Sequence, residues 1–163
     1  MNKHKISVII PIYNCAEWIE KCVNSILNQK LPNSYELQVV LVDDGSSDNT
    51  ENLIQGWIKD ARLPIRHIKT PNGGKHRAIN KGLALAKGEL FFIVDSDDWL
   101  PVDSLYWIDL YYSQICSCEE FAGVAGSKCY PNGTKVGGDV TYDVLDTDNV
   151  SYREVHKIKG DMA

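Results

Sequence analysis

Asp95, Asp97 and Asp98 follow directly on Phe91-Phe92-Ile93-Val94, so a run of large apolar residues ends in three carboxylates within four positions. Carboxylates this close repel one another, and burying them is expensive without a compensating cation. Asp95 and Asp97, two apart at the mouth of a strand, could hold a hard divalent ion. Such an ion keeps several waters and takes its remaining oxygens from the phosphates of a ligand. The alternative is a solvated acidic turn that caps the next helix.

Other segments offer complementary chemistry. Asp43-Asp44-Gly45-Ser46-Ser47 is a second acidic mouth after an apolar run. It is either a turn with a helix cap or an acceptor for a base N–H or a ribose hydroxyl. Asn72-Gly73-Gly74-Lys75 joins a strong turn signal to a cation at a helix start. Bare backbone amides and a cation at that position suit a diphosphate. His76 and Arg77 either add to that charge or are ordinary surface residues. The spacing matches neither a P-loop nor the GxGxxG of a dinucleotide fold. Tyr13, after Pro11-Ile12, is either a core aromatic or a platform on which a base could stack.

The elements that must position these groups follow from periodicity. Ile6-Ser7-Val8-Ile9-Ile10 is short and β-branched, as expected of a strand buried on both faces. Ile19, Cys22, Val23, Ile26 and Leu27 mark one face of a helix. A second strand covers Leu37 to Val42. Asp48 with Glu51 resembles a capping box, opening a helix that carries Leu53, Ile54, Trp57 and Ile58 on its core side. A weaker third strand spans Ile65 to Ile68. Ala78, Ile79, Gly82, Leu83 and Ala86 then repeat at helical spacing until Gly88, which is expected to stop the helix. Leu90 to Val94 is a fourth strand, read as buried, and Pro101-Val102-Asp103 opens a helix with Leu105, Ile108, Tyr112 and Ile115 inward. Alternation at this spacing predicts βαβ units and a parallel sheet with helices on its faces. In such a sheet, ligands bind beyond the carboxyl ends of the strands, where the acids, Tyr13 and the Gly-rich turn all fall. Beyond Ala122 the signal weakens to a strand over Val124–Tyr130, a turn at Pro131-Asn132-Gly133, and a loop-rich stretch.

Composition excludes several classes. The 163 residues suffice for one domain with a core, and a hydrophobic content of 44% with 24% charged is ordinary for a globular protein. A net charge of -5 without a basic stripe argues against nucleic acid as a partner. No apolar run approaches the roughly 20 residues that span a bilayer. The N-terminal MNKHKISVII reads as a first strand, not a signal peptide. Five cysteines lack zinc-ligand spacing, and read as buried or idle thiols in a reducing cytosol.

SVIIPIYN, VDDGSSDNT, PNGGKHRAINKGLALAKGE and FFIVDSDDW, in this order over about residues 5–105, resemble the family 2 glycosyltransferases. The resemblance implies the α/β GT-A fold, a Rossmann-like, mostly parallel sheet with helices on both faces. It implies sugar transfer with inversion from a nucleotide-sugar, with UDP-sugar expected, and Mn2+ or Mg2+ as cofactor. Carried over, Pro11 and Tyr13 would flank the base, Asp44 would accept from it, and Asp43 would lie close by. Gly74 and Lys75 would approach the diphosphate. Asp95 and Asp97 would form the DXD motif, with Asp95 on the ribose or the metal and Asp97 on the metal. Asp98 has no assigned ligand role, and Trp99 either lines the cleft or packs beneath it.

A family 2 enzyme also needs a carboxylate base on the acceptor side. Asp139, Asp143, Asp146, Asp148 and Asp161 are present, but none sits in a matching motif. The chain is therefore expected to be a single donor-binding domain over 1–163, part of a longer enzyme. Residues 106–163 would begin the acceptor side, and the base would lie beyond Ala163. The resemblance further implies polysaccharide or cell-envelope biosynthesis on a glycan or lipid-linked acceptor, in the cytoplasm or at the inner face of a membrane. A non-catalytic nucleotide-sugar-binding module is the main alternative. A nucleotidyltransferase would want a Gly-rich, arginine-bearing loop after the first strand, which PIYNCAEW does not supply.

Overall fold

Strand β1, His4–Ile12, runs through the middle of the sheet, where Val8, Ile9 and Ile10 are wholly buried. The structure, a computed structural model, describes residues 4–31, 35–59, 65–119, 123–126 and 128–136. After β1 come α1 (Ile19–Leu27), β2 (Tyr35–Asp43), α2 (Thr50–Lys59), β3 (Ile65–Lys69), α3 (Lys75–Leu85), β4 (Leu90–Ile93) and α4 (Ser104–Ile115). The four strands form one sheet in the order β3-β2-β1-β4, every pair parallel. The strand order reverses at β1, which leaves a crevice between the ends of β1 and β4.

Alternate residues of β1 serve opposite faces. Ile6, Val8, Ile10 and Ile12 pack with Val39 and Leu41 of β2, the α1 face, Ile54 of α2 and Leu105 of α4. Ile9 packs on the other side with Val40, Val42 and Ala78 of α3. Helices thus cover both faces, as expected. Each such fully buried aliphatic side chain contributes about 1.5–3 kcal/mol. Gly82 lets α3 lie close on the sheet, because a Cβ there would run into Ile9 and Val42 side chains.

Several boundaries and faces differ from expectation. Helix α3 ends at Leu85, with Ala86 already extended. Gly88 is instead required by close approach: a Cβ would sit 2.6 Å from Ser7 N and 2.7 Å from Lys5 O. On α2, the inward face is set by Thr50, Ile54 and, in part, Leu53 and Trp57; Ile58 falls at its margin and is exposed. Strand β4 is an edge strand among the described residues, and Phe91 is 55% exposed. Helix α3 packs mainly on β1 and β2. The ladder continues through Val94, whose N–H donates to Ile9 O at 3.0 Å.

The chain divides into two compact units, 1–114 and 115–163. In the second, the expected strand over Val124–Tyr130 is absent among the described residues, where Gly123 and Gly126 weaken strand preference. An isolated antiparallel bridge, Cys129 with Lys135, spans the expected Pro131-Asn132-Gly133 turn instead. The five aspartates considered as a base lie outside the described residues. No helix among the described residues is long and apolar enough to cross a membrane.

Candidate functional site

The carboxyl ends of β1, β2 and β4 open onto a cleft of about 390 Å³. Pro11, Tyr13, Asp44, Gly74, Lys75, Asp95 and Asp97 all line it, together with Ile12, Asn72, Ala78 and Ser96. Asp43 does not: its side chain is fully buried, with Oδ1 accepting from Ser46 N at 2.7 Å. Its Oδ2 lies 4.0 Å from Lys69 Nζ and has no hydrogen-bond partner. Period-two alternation explains the split, since adjacent strand residues face opposite ways. Asn72 and Ser96 escaped the sequence reading because Asn-Gly and Asp-Ser-Asp signal turns first.

Asp44 is the hinge between two loops. Its Oδ1 accepts from Gly73 N at 2.9 Å and its Oδ2 from Gly74 N at 2.7 Å. The amides expected to stand bare for a diphosphate are therefore occupied by a carboxylate of the chain itself. An ionised carboxylate has about four acceptor positions, so Asp44 retains capacity toward the cleft. Gly74 takes φ 91°, a backbone that favours glycine, and ends the turn at the start of α3. Lys75 follows on the first turn of α3, while His76 and Arg77 are exposed and do not line the cleft.

The turn after β4 closes on itself through Asp98 N donating to Asp95 O at 3.0 Å. It does not cap α4, which begins at Ser104; there Leu105 N donates to Gln29 Oε1 at 2.9 Å. Helix α1 and the residues just after it hold this segment in place. Cys22 Sγ donates to Asp95 O (3.5 Å), Ser25 Oγ accepts from Leu100 N (3.0 Å), and Gln29 Nε2 donates to Pro101 O (2.7 Å). Burial, with neighbouring carboxylates adding to it, pushes the Cys22 thiol up to about 12, so it remains a protonated donor. Trp99 does not line the cleft; it is partly exposed and carries Lys21 Nζ over its ring, 3.1 Å from the centroid.

Across the cleft, Lys75 Nζ lies 2.6 Å from Asp95 Oδ1. A cation therefore does sit against the acidic turn, and it comes from the Gly-rich segment. Among the described residues, no group of three or more His, Cys, Asp or Glu could hold a metal. Two cleft-lining carboxylates on one turn fit magnesium or manganese completed by phosphate oxygens and water, not an all-protein cage.

The loops after β1 and β2 are stitched together. Asp48 Oδ1 accepts from Thr50 N and Oδ2 from Ala16 N, both at 3.0 Å. Burial pushes the Asp48 carboxyl up, but these bonds and one from the Thr50 hydroxyl outweigh it and hold the group below its ordinary range. Glu51 does not complete the capping box; it pairs with Lys69 Nζ at 2.6 Å, which lowers the carboxyl and raises the amine.

Residues 7–107 match the family model described as Glycosyl transferase family 2, and the chain belongs to that family. It is similar to the glycosyltransferase GlyG of Streptococcus pneumoniae, 42% identical over 111 residues, covering 68% of this chain and 35% of that protein. It is also similar to the poly(ribitol-phosphate) β-N-acetylglucosaminyltransferase TarS of Staphylococcus aureus, 34% identical over 115 residues, covering 68% and 20%. The chain thus spans about a third or less of the length of these relatives. Among solved structures, TarS 1–349 in complex with UDP-GlcNAc superposes with a TM-score of 0.61 at 32% identity, covering 68% of this chain and 31% of that one. The Pyrobaculum calidifontis mannosyltransferase PcManGT, in complex with GDP-Man and Mn2+, gives 0.56 at 34% identity, covering 61% and 29%. The fold is the expected GT-A type.

Proposed function

We propose that the chain is the donor-binding part of a metal-dependent glycosyltransferase that takes a nucleotide-sugar and transfers its sugar with inversion. The observation that carries this reading is a single cleft that collects an aromatic, a partly engaged acid, a lysine and two further acids from four different loops. Pro11 and Tyr13 flank the base, and Asp44 accepts from it. Gly74 and Lys75 lie toward the diphosphate, and Asp95 and Asp97 hold the ribose and the ion. Asp43, fully buried and turned to Ser46 and Lys69, is left out of the binding set. A bound divalent ion would offset the charge that grows on the departing diphosphate. Lys75 adds a second positive group on the same side, while an acceptor hydroxyl of a glycan or lipid-linked substrate attacks the anomeric carbon and loses its proton to a carboxylate. UDP is taken as the carrier from the similarity to the TarS complex with UDP-GlcNAc, and GDP, present in the PcManGT complex, is the alternative that the titration below separates.

Calorimetric titration with UDP, GDP and dTDP, with and without manganese, tests the reading. UDP is expected to bind only with the metal present, and Asp97→Ala is expected to abolish that binding. Tight binding indifferent to metal would replace the enzyme reading with a non-catalytic nucleotide-binding module. No binding of any nucleotide would sink both.

A further inference from the structure

Tyr13 is 54% exposed, so packing on its own ring does little to fix its direction; the backbone that carries it must do so. The next residue, Asn14, has φ 47°, and it is the one non-glycine residue with positive φ among those described. Asparagine tolerates this left-handed conformation better than most residues, yet it still has a cost that neighbouring contacts must offset. Here the contacts form a clasp. Asn14 Oδ1 accepts from Ser47 N at 2.8 Å, with Ser47 Oγ and Asp48 N both at 3.4 Å. Asn14 N donates to Ser46 Oγ at 3.0 Å. The partners all belong to the loop after β2, the loop that also carries Asp44. A left-handed residue bound on both its backbone and its side chain fixes the turn directly after Tyr13 and ties it to that loop.

We infer that Asn14 is a positioning residue for the donor site: its clasp on Ser46 and Ser47 aims the Tyr13 ring into the cleft. The inference rests on the proposed donor-binding role of Tyr13. Pre-aiming one aromatic face spares the ordering cost that a free loop would incur on binding, so loss of the clasp is read out as lost nucleotide affinity.

A double-mutant cycle on UDP affinity, measured by calorimetry with manganese, tests it. Tyr13→Ala is expected to weaken UDP on the order of tenfold, the scale of a base–aromatic stack. Asn14→Gly keeps the backbone free to adopt positive φ but deletes the acceptor, and should weaken UDP by about fivefold. In the Tyr13→Ala background, Asn14→Gly should have almost no further effect. Asn14→Asp, which keeps an acceptor and tolerates the same φ, should restore affinity to within about threefold of wild type. Ser46→Ala removes the other half of the clasp without touching β1; about threefold weaker binding is expected, again absent when Tyr13 is Ala. This second probe decides the matter if Asn14→Gly folds poorly. Additive losses in both cycles, or unchanged affinity in both single clasp variants, would overturn the role of Asn14. If Tyr13→Ala itself leaves UDP affinity unchanged, the failure belongs to the donor-site reading of Tyr13.

Discussion

The two acidic mouths of the sheet look alike as strings and behave differently as structure. After β2, Asp43 and Asp44 are 0% and 3% exposed, and their carboxylates are answered by backbone amides of Ser46, Gly73 and Gly74. After β4, the Asp95 side chain is 30% exposed and faces a lysine, and Asp97 is exposed to the cleft. Amides cannot leave, whereas a lysine on a flexible stem can. Asp43 therefore only builds the site and Asp44 both builds and lines it, whereas Asp95 and Asp97 line the cleft without being tied down by backbone amides of another loop.

The sharpest way to break this contrast is to remove one acid from each mouth. Asp44→Ala leaves the Gly73 and Gly74 amides without their acceptor, and should cost about 3 kcal/mol of stability in urea unfolding. Asp97→Ala should leave unfolding within about 0.5 kcal/mol of wild type while abolishing metal-dependent UDP binding. Equal stability losses in the two variants would erase the distinction.

A somewhat smaller effect is expected at Gly45, which locks the mouth after β2 against the Gly-rich segment. It takes φ 82°, and a Cβ there would lie 2.9 Å from Asn72 N and 3.3 Å from Thr70 O, both backbone atoms that cannot step aside. Gly45→Ala should therefore destabilise by about 2 kcal/mol, through the left-handed penalty and the clash together, measured by the same denaturation. Wild-type stability in this variant would mean that the two loops are not held as tightly as the hydrogen bonds indicate.

How far the sequence could lead is clear from these same residues. The elements were legible because their signals are local: β1 is a β-branched run, and the α1 face repeats every three or four residues. That acids and a Gly-rich turn share one edge followed from parallel topology. The division of labour between the two mouths was not legible, because it is decided by partners far along the chain. Asp44 meets amides 29 and 30 residues away, and the Asp95 carbonyl meets Cys22, 73 residues earlier. Nor does Asp43-Asp44 announce which acid faces inward; the pleat decides that once the register of β2 is set. Phe91 misled for a similar reason, since an apolar strand reads as buried whether or not a helix happens to cover that part of the sheet.

The lysine across the cleft gives a subtler test. With Lys75 Nζ 2.6 Å from Asp95 Oδ1, a divalent ion arriving without nucleotide must compete for that oxygen. Lys75→Met should tighten manganese binding to the nucleotide-free chain by at most about fivefold, because both partners are substantially solvated. The same variant should weaken UDP binding, since the lysine then has no charge to offer the diphosphate. Lys21→Met, which removes the cation over Trp99 instead, serves as the control for a general change in charge. Equal effects of the two variants would mean that the Lys75–Asp95 contact carries no special weight.

The smallest expected effect is in the pH profile of stability. His67, paired in register with Leu41 of β2, has a buried Nε2 without a hydrogen-bond partner. Burial lowers its pKa, outweighing the opposite pull of Asp43 and Glu51. The neutral imidazole is thus favoured in the fold, while the unfolded chain takes up a proton near the ordinary value of about 6.5. Below that value the unfolded state binds more protons than the native state, so stability falls as pH drops from about 6.5 toward the lowered native value. Asp48 and Glu51, both held low, act in a separate window: their contribution is present above about 4 and lost as pH falls below it. His67→Gln should flatten the upper window in pH-dependent thermal unfolding and leave the lower one intact. Should His67→Gln leave the upper window unchanged, the assignment of that window to the buried imidazole would have to be abandoned.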